Sequence, residues 1–392
     1  MLPKLPIRVI IAVTSIVLIC VVLNLLCRSP YSRDKELVDL LEPPVKSISN
    51  TIQRDAYTHD QSIYQVQNET LGFQEVYMIS LPSRTDKRDA FAMQAALSGI
   101  TYSQIDGVDG REVPGRALPH TMDQSAPVVG CWRAHLNVLQ KMVNEKVATA
   151  LIFEDDADWD VSFKQQLVQF ARGSRYISQT AENDVPKSPY GDNWDILWLG
   201  HCGTWVLAED KHRFFVIPDD PTVEPPQYRC NVVSPDMSYW EGPDGDNTTR
   251  IVFNSGGAVC TAGYAVSQQG ARKILYHMSM VPFNNAIDWG YAELCKDKRY
   301  NFSCVSVFPQ LIGVSRPTGN SSKWSDIGYG DESTRTVRSA HSQYLVYSTR
   351  LNIANLLEGR TVFDSQYPTL PRLDISDIGS ASGHVEVLDG GG

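Results

Sequence analysis

The sequence predicts an α/β domain on a mainly parallel sheet with flanking helices, preceded by a membrane helix. Three observations predict it. After residue 73, apolar runs of strand length alternate with segments of helical period. One run, Ala148-Thr149-Ala150-Leu151-Ile152-Phe153, stops against Glu154, Asp155 and Asp156. Residues 9–27 carry no charge, over a length close to the roughly 20 residues that span a bilayer.

Composition bounds the class. The chain has 392 residues, of which 42% are hydrophobic and 20% charged, which is globular rather than disordered usage. A net charge of −10 leaves no basic surplus to meet phosphates, so nucleic acid is not an expected partner.

The apolar run 9–27 is too long for a cleaved leader and ends in Leu25-Leu26-Cys27-Arg28-Ser29-Pro30, without an Ala-x-Ala pattern. It is read as a retained signal anchor after a tail of residues 1–8. Basic residues flank both sides (Lys4 and Arg8, then Arg28, Arg33 and Lys35), so charge leaves the orientation open. Sequons at Asn68, Asn247, Asn301 and Asn320 and an even set of cysteines favour a lumenal domain, hence a single-pass type II protein. Six cysteines follow the anchor: Cys131, Cys202, Cys230, Cys260, Cys295 and Cys304. Cys295 and Cys304 are the expected pair, being close and separated by a polar turn. No Cys-x-x-Cys or His-x-x-x-His spacing calls for structural zinc. The lack of a Lys-Asp-Glu-Leu ending points to the Golgi, with the endoplasmic reticulum as the other compartment.

Residues 28–72 are polar, with Pro43-Pro44, as a stem should be. The domain runs from 73 to 360, and 361–392 is expected to be a disordered tail. Val76–Leu81 reads as a buried strand. Ser83–Ser98 carries Ala90, Met93 and Leu97 at helical spacing and closes at Gly99. Thr101–Ile105 is a second strand. Trp132, Leu136, Leu139 and Val143 mark a helix face, and Ala148–Phe153 a third strand. Residues 172–193 read as a polar insertion, Asp195–Gly200 as a strand and 203–250 as loops around the site. Ser255–Val266 reads as one small-residue strand, and Gln268–Met278 as a helix capped by Ser267.

The acidic triplet carries the chemistry. Three negative charges at the carboxyl edge of a sheet need a cation, and that edge is where open α/β sheets bind ligands. Mn²⁺ or Mg²⁺ suits carboxylate oxygens and leaves room for a diphosphate. The competing reading is a solvated turn. Arg84 and Arg88, just past the first strand, suit phosphate or uracil oxygens, or are ordinary helix-surface charges. Asp109 suits a ribose hydroxyl, or is turn chemistry before Gly110. Asp288 is a candidate base and Trp289 a face for an acceptor sugar. Asp288 is equally suited to cap a helix over Trp289–Cys295.

The motifs resemble, in order, those of glycosyltransferase family 25. The likeness begins with Val76–Leu81, Arg84-Thr85-Asp86-Lys87-Arg88 and Asp106-Gly107-Val108-Asp109-Gly110. It continues through Gly130-Cys131-Trp132-Arg133-Ala134-His135-Leu136, Leu151–Ala157, Trp194–Gly200 and Gly263–Ser267 with Gly270-Ala271, and ends at Trp324-Ser325-Asp326-Ile327. The family includes lipopolysaccharide glycosyltransferases and collagen galactosyltransferases. The resemblance implies a GT-A fold (a Rossmann-like sheet), a metal-assisted nucleotide-sugar donor, commonly UDP-galactose, and inversion at the anomeric carbon. Glu154, Asp155 and Asp156 take the Asp-x-Asp role, with Glu in the first place. His135 resembles the family's Ser-His pair, with Ala in the Ser place, and either supports the donor pocket or is a structural histidine of its helix. Asp155 joins Arg84, Arg88 and Asp109 on the donor side, and Asp326 serves either the metal or the donor. The acceptor would be a glycan or glycoprotein. A glycoside hydrolase, or an inactive membrane-anchored sugar-binding protein on the same fold, are the competing functions.

Overall fold

The computed structural model describes residues 61–180, 185–210, 212–243, 245–327, 336–378 and 383–388. The expected membrane segment 9–27, the tail before it and most of the stem 28–72 lie outside these residues. Among the described residues no helix is long and apolar enough to cross a membrane.

The first half alternates strand and helix: β1 (Glu75–Ser80), α1 (Thr85–Leu97), β2 (Ser103–Asp106), α2 (Ala126–Glu145), β3 (Thr149–Glu154), β4 (Ala157–Trp159) and α3 (Phe163–Ile177). Then follow β5 (Ile196–Gly200), β6 (Gly203–Val206), β7 (Arg213–Ile217), β8 (Arg250–Val259), β9 (Gly263–Ser267), α4 (Gln268–Ser279), α5 (Ile287–Lys296), β10 (Cys304–Phe308) and β11 (Ile312–Arg316). In the central sheet the order from one edge is β2, β1, β3, β9, β5, β10, β8, β7, then the strand His384–Val387. β1 is parallel to β2 and β3, and β5 to β10. β9 lies between β3 and β5 antiparallel to both, so those two groups point the same way. The carboxyl ends of β1, β2 and β3 therefore share one edge. The result is a mixed α/β domain with a Rossmann-like sheet.

Strand alternation builds a core on each face. On β3, Leu151 and Phe153 face α1 and α3, whereas Ala150 and Ile152 face α2 and α4; on β5, Leu197 and Leu199 part from Ile196 and Trp198 in the same way. The expected helix with Trp132, Leu136 and Leu139 inside is α2, which begins earlier, at Ala126. Ser267 caps α4, accepting from the Gly270 N–H at 3.0 Å. Cys295 and Cys304 are bridged as expected, and Cys202–Cys260 is a second disulfide.

Several expectations are corrected. In α1 the buried face is Phe91, Gln94 and Ala95, while Met93 is exposed. Gln94 is inside because its amide donates to Asp158 and accepts from Arg350, a partnership the apolar pattern does not reveal. The stretch 172–193 opens as the end of α3, with Arg172, Ser174 and Arg175 buried. Residues 203–250 contain β6 and β7 as well as loops. Ser255–Val266 is the end of one strand and most of another, because Cys260, at φ +67°, turns the chain between β8 and β9. α5 starts at Ile287, so Asp288 lies in its first turn and Ala286 is the cap position. The chain beyond Thr361 is ordered in part: Val362–Phe363 pairs with Leu373–Asp374, and His384–Val387 extends the central sheet along β7.

After β3 the chain enters a second, three-stranded sheet of β4, β11 and His341–Gln343. Trp159 of β4, Phe153 of β3 and Tyr102 surround Phe91, with ring centroids 5.5, 5.6 and 4.9 Å away. Phe91→Ala should cost about 3–5 kcal/mol in urea unfolding, because it empties that cluster. A loss under about 1 kcal/mol would show that the cluster does not join the two sheets.

Asp160, just past β4, is fully enclosed. Burial lifts its carboxyl to about 7, against hydrogen bonds from Ser162 and the Tyr347 N–H. A group whose pKa is raised on folding stabilises fully below its unfolded pKa and stops doing so as pH climbs through the folded one. Stability should therefore fall between pH 3.8 and about 7, and Asp160→Asn should flatten that slope. An identical slope in the variant, measured by chemical denaturation, would refute this.

Candidate functional site

The common edge of β1, β2 and β3 opens into a cleft of about 690 Å³. Its walls are the turn after β1, the loop after β2, the start of α2, the acidic end of β3 and the segment Ser325–Ile327. The loop after β2 lies directly on α2 because Gly110 and Gly130 have no Cβ to collide with the backbone of Ala126 and Val108. A second cavity, of about 520 Å³ between α3 and Arg250, contains none of the expected site residues.

The acidic triplet sits in the cleft, but its side chains part. Glu154 turns toward α2. Its Oε1 accepts from Thr261 Oγ1 and lies 3.6 Å from His135 Nε2. His135 is buried, and its Nδ1 is 2.7 Å from the Tyr264 hydroxyl, which in turn meets that of Tyr291 at 2.9 Å. Asp155 and Asp156 turn toward α1 and β11. Asp155 accepts from Ser80 Oγ at 2.7 Å and from Lys87 Nζ at 2.9 Å. Asp156 lies 3.2 Å from Arg316 and 3.9 Å from Lys87. Burial raises the Asp155 carboxyl, with Lys87 opposing it. For Asp156 burial also pushes upward, but Lys87, Arg316 and Arg350 together hold it below the usual value.

Asp326 reaches this cluster from the far end of the chain, pairing with Arg84 and lying 3.3 Å from Lys87. Arg84 is otherwise occupied, bonding Asp86 at 2.8 Å and the Lys323 carbonyl at 2.9 Å, so it ties Ser325–Ile327 across the cleft mouth. Arg88 bonds the Ser80 carbonyl at 2.7 Å and Asp106 at 2.8 Å, bracing the ends of β1 and β2. Asp109 lines the cleft and caps the short turn Gly110–Glu112. Its hydrogen bonds with Arg111 hold its pKa at about 2.

Asp288 is not part of the cleft wall. It accepts from the N–H of Cys260 at 2.8 Å and of Trp289 at 2.9 Å, and burial raises its carboxyl. Trp289 is about half exposed, at 49%. Asn68, Asn247, Asn301 and Asn320 are all exposed.

Lys87, Ser80, Arg316 and Arg350 escaped the sequence reading. Only Lys87 had a signal: Arg84, Lys87 and Arg88 are three and four apart, hence on one face of a helix.

Among the described residues one trio gathers ligand atoms within 4.8 Å of each other, namely Cys131, His135 and Glu154. Cys131 and His135 are one turn apart on α2, both facing the cleft. Sulfur, nitrogen and oxygen donors together suit a borderline ion of the zinc type better than a hard one. The carboxylate oxygens of Asp155, Asp156 and Asp326 are the hard donors, and they stand around Lys87. The cleft thus holds donor atoms of the kinds that bind divalent metals.

Comparison with known proteins matches residues 73–193 to the profile of glycosyltransferase family 25 (LPS biosynthesis protein). The chain is 26% identical over 281 residues to Procollagen galactosyltransferase 1-A of Xenopus laevis, covering 66% of this chain and 38% of that protein. It is 23% identical over 224 residues to Procollagen galactosyltransferase 2 of Mus musculus, covering 53% and 28%. With the Bos taurus protein called Probable inactive glycosyltransferase 25 family member 3 it shares 26% over 219 residues, 52% and 29%. The chain thus spans less than two fifths of the length of these relatives. The stretch from β1 through the acidic end of β3 and on past α3 is thus the part of the chain that resembles glycosyltransferase family 25.

Proposed function

We propose that the chain is a metal-dependent, inverting glycosyltransferase with a GT-A fold, moving galactose from UDP-galactose to a glycan or glycoprotein in the secretory pathway. The observation that carries this reading is the meeting of Asp155, Asp156 and Asp326 around one cation at the mouth of a cleft built by the family 25 segment. A cleft of that size lies within the usual range of roughly 300–1,000 Å³ for small-molecule sites. The nucleotide would lie between the turn after β1 and the loop after β2, with Asp109 near the ribose. A bound Mn²⁺ or Mg²⁺, held by oxygens of Asp155 and Asp156 with Glu154 behind them, would offset the charge that develops on the departing diphosphate. Arg84 keeps Asp326 at the mouth, and His135 orients Glu154 from below.

On the acceptor side Trp289 offers an aromatic face to a sugar. Asp288 is the proposed base, its raised pKa suiting proton removal. An acceptor would reach it from outside the present cleft wall, displacing the bonds from Cys260 and Trp289. The relatives' names point to procollagen. For this chain the acceptor is proposed only as a glycan or glycoprotein.

Incubation with a panel of nucleotide sugars, divalent metal and glycan acceptors should release nucleoside diphosphate only when an acceptor is present. Asp156→Asn should lower kcat/KM by about 10²-fold or more, the scale for losing one charge-stabilising group. Normal turnover in that variant would remove Asp156 from the metal site, and release of free sugar from a glycan would make the chain a hydrolase.

Two disulfides and four exposed sequons support a lumenal domain, held in the Golgi or endoplasmic reticulum membrane by residues 9–27 as a type II anchor. Glycosidase treatment of the chain from secretory cells should increase its gel mobility, through glycans at one or more of the four asparagines. Unchanged mobility counts against lumenal placement.

A further inference from the structure

Among the described residues Lys87 is the cation that meets Asp155, Asp156 and Asp326 together. Its side chain is 12% exposed, and its ammonium stands 2.9 Å from Asp155, 3.3 Å from Asp326 and 3.9 Å from Asp156. The neighbouring cations touch fewer of these carboxylates and hold other partners as well. Arg84 is divided between Asp86, Asp326 and the Lys323 carbonyl, and Arg88 binds Ser80 and Asp106. Arg316 pairs with Asp156 alone, at 3.2 Å, and lies over the Trp324 ring at 5.7 Å, while Arg350 donates to the carbonyls of Asp155 and Ala157. Of these five only Lys87 lines the cleft, and Arg111, also in its wall, pairs with Asp109. A lysine ammonium is a compact charge with three donors on a flexible stem. It can exchange a carboxylate for a phosphate oxygen by turning its own side chain, with helix α1 fixed.

Resting on the donor reading above, we propose that Lys87 is the resident cation of the donor site. It gathers Asp155, Asp156 and Asp326 in the nucleotide-free chain and binds the donor's diphosphate in the loaded one. In the transfer the bond from the anomeric carbon to the diphosphate oxygen breaks, and its electron pair stays with the diphosphate. The acceptor oxygen bonds that carbon and gives its proton to the base. Lys87 keeps its proton throughout and contributes charge alone. The same carboxylates attract the ammonium and a divalent ion, so the two compete. Removing Lys87 should weaken nucleotide binding without metal and strengthen metal binding without nucleotide. A merely structural lysine would not move the two in opposite directions.

The test uses the full chain, wild type and Lys87→Met, with calorimetric titration of UDP in EDTA and of Mn²⁺ without nucleotide. Lys87→Met should bind UDP about tenfold or more weakly, as expected for losing a charge-assisted hydrogen bond, and bind Mn²⁺ more tightly. Lys87→Arg should bind UDP nearly as wild type does. Unchanged UDP affinity in Lys87→Met overturns the proposal and leaves the donor reading standing. So does wild type that binds UDP only with metal present, or a variant whose Mn²⁺ affinity falls. No UDP binding by wild type under any condition overturns both. Should Lys87→Met not fold, Lys87→Gln, which keeps a donor beside Asp155, carries the same measurements.

Discussion

The peptide turn at Asp155 and Asp156 is the constraint around which the rest of the structure is arranged. There the chain leaves the central sheet and enters the second one. The Glu154 N–H donates to the Ala262 carbonyl just before β9, and the Asp156 carbonyl accepts from the Ser315 N–H of β11. Two carboxylates are thus fixed at a junction between sheets, where water is scarce. Their charges are met by Lys87 from α1, Arg316 from β11 and Arg350 from the C-terminal third. Leaving one member of such a buried set unpaired costs about 3–5 kcal/mol, so these distant segments are held in place by the junction's charge.

The junction also joins the two sheets mechanically. Arg350 donates to the carbonyls of Asp155 and Ala157 and to the Gln94 side chain. Asp158, one residue on, accepts from Gln94, Ser342 and Ser348. A polar network of this kind is stable only when every member has its partner. Its completeness explains why a glutamine occupies the buried face of α1 and why residues 341–352 pack against the site.

Alternation along β3 explains the division of the triplet. Ile152 faces α2, and Glu154, two residues on, does likewise, meeting Cys131 and His135. Phe153 faces α1, and Asp155 follows it to Lys87. One acidic run therefore supplies two chemically different environments. On one side a carboxylate joins an imidazole and a thiol; on the other, carboxylates surround an ammonium.

The sequence by itself determined the α/β class, the strands β1, β3 and β5, the cap of α4, the Cys295–Cys304 bridge and the placing of the acidic triplet at a strand end. These follow from local period, local capping and short separation, which act within about a dozen residues. Even the parting of Glu154 from Asp155 was implicit in the two-residue period of β3. Tertiary structure alone decided that β9 runs against its neighbours, that Cys202 meets Cys260 across 58 residues, and that Asp326 and Arg350 come to the cleft. It also decided that Arg84 and Arg88 are engaged in bracing while Lys87 faces the carboxylates. Buried charge is matched by whichever opposite charge the folded chain brings near, and that pairing leaves no period in the sequence.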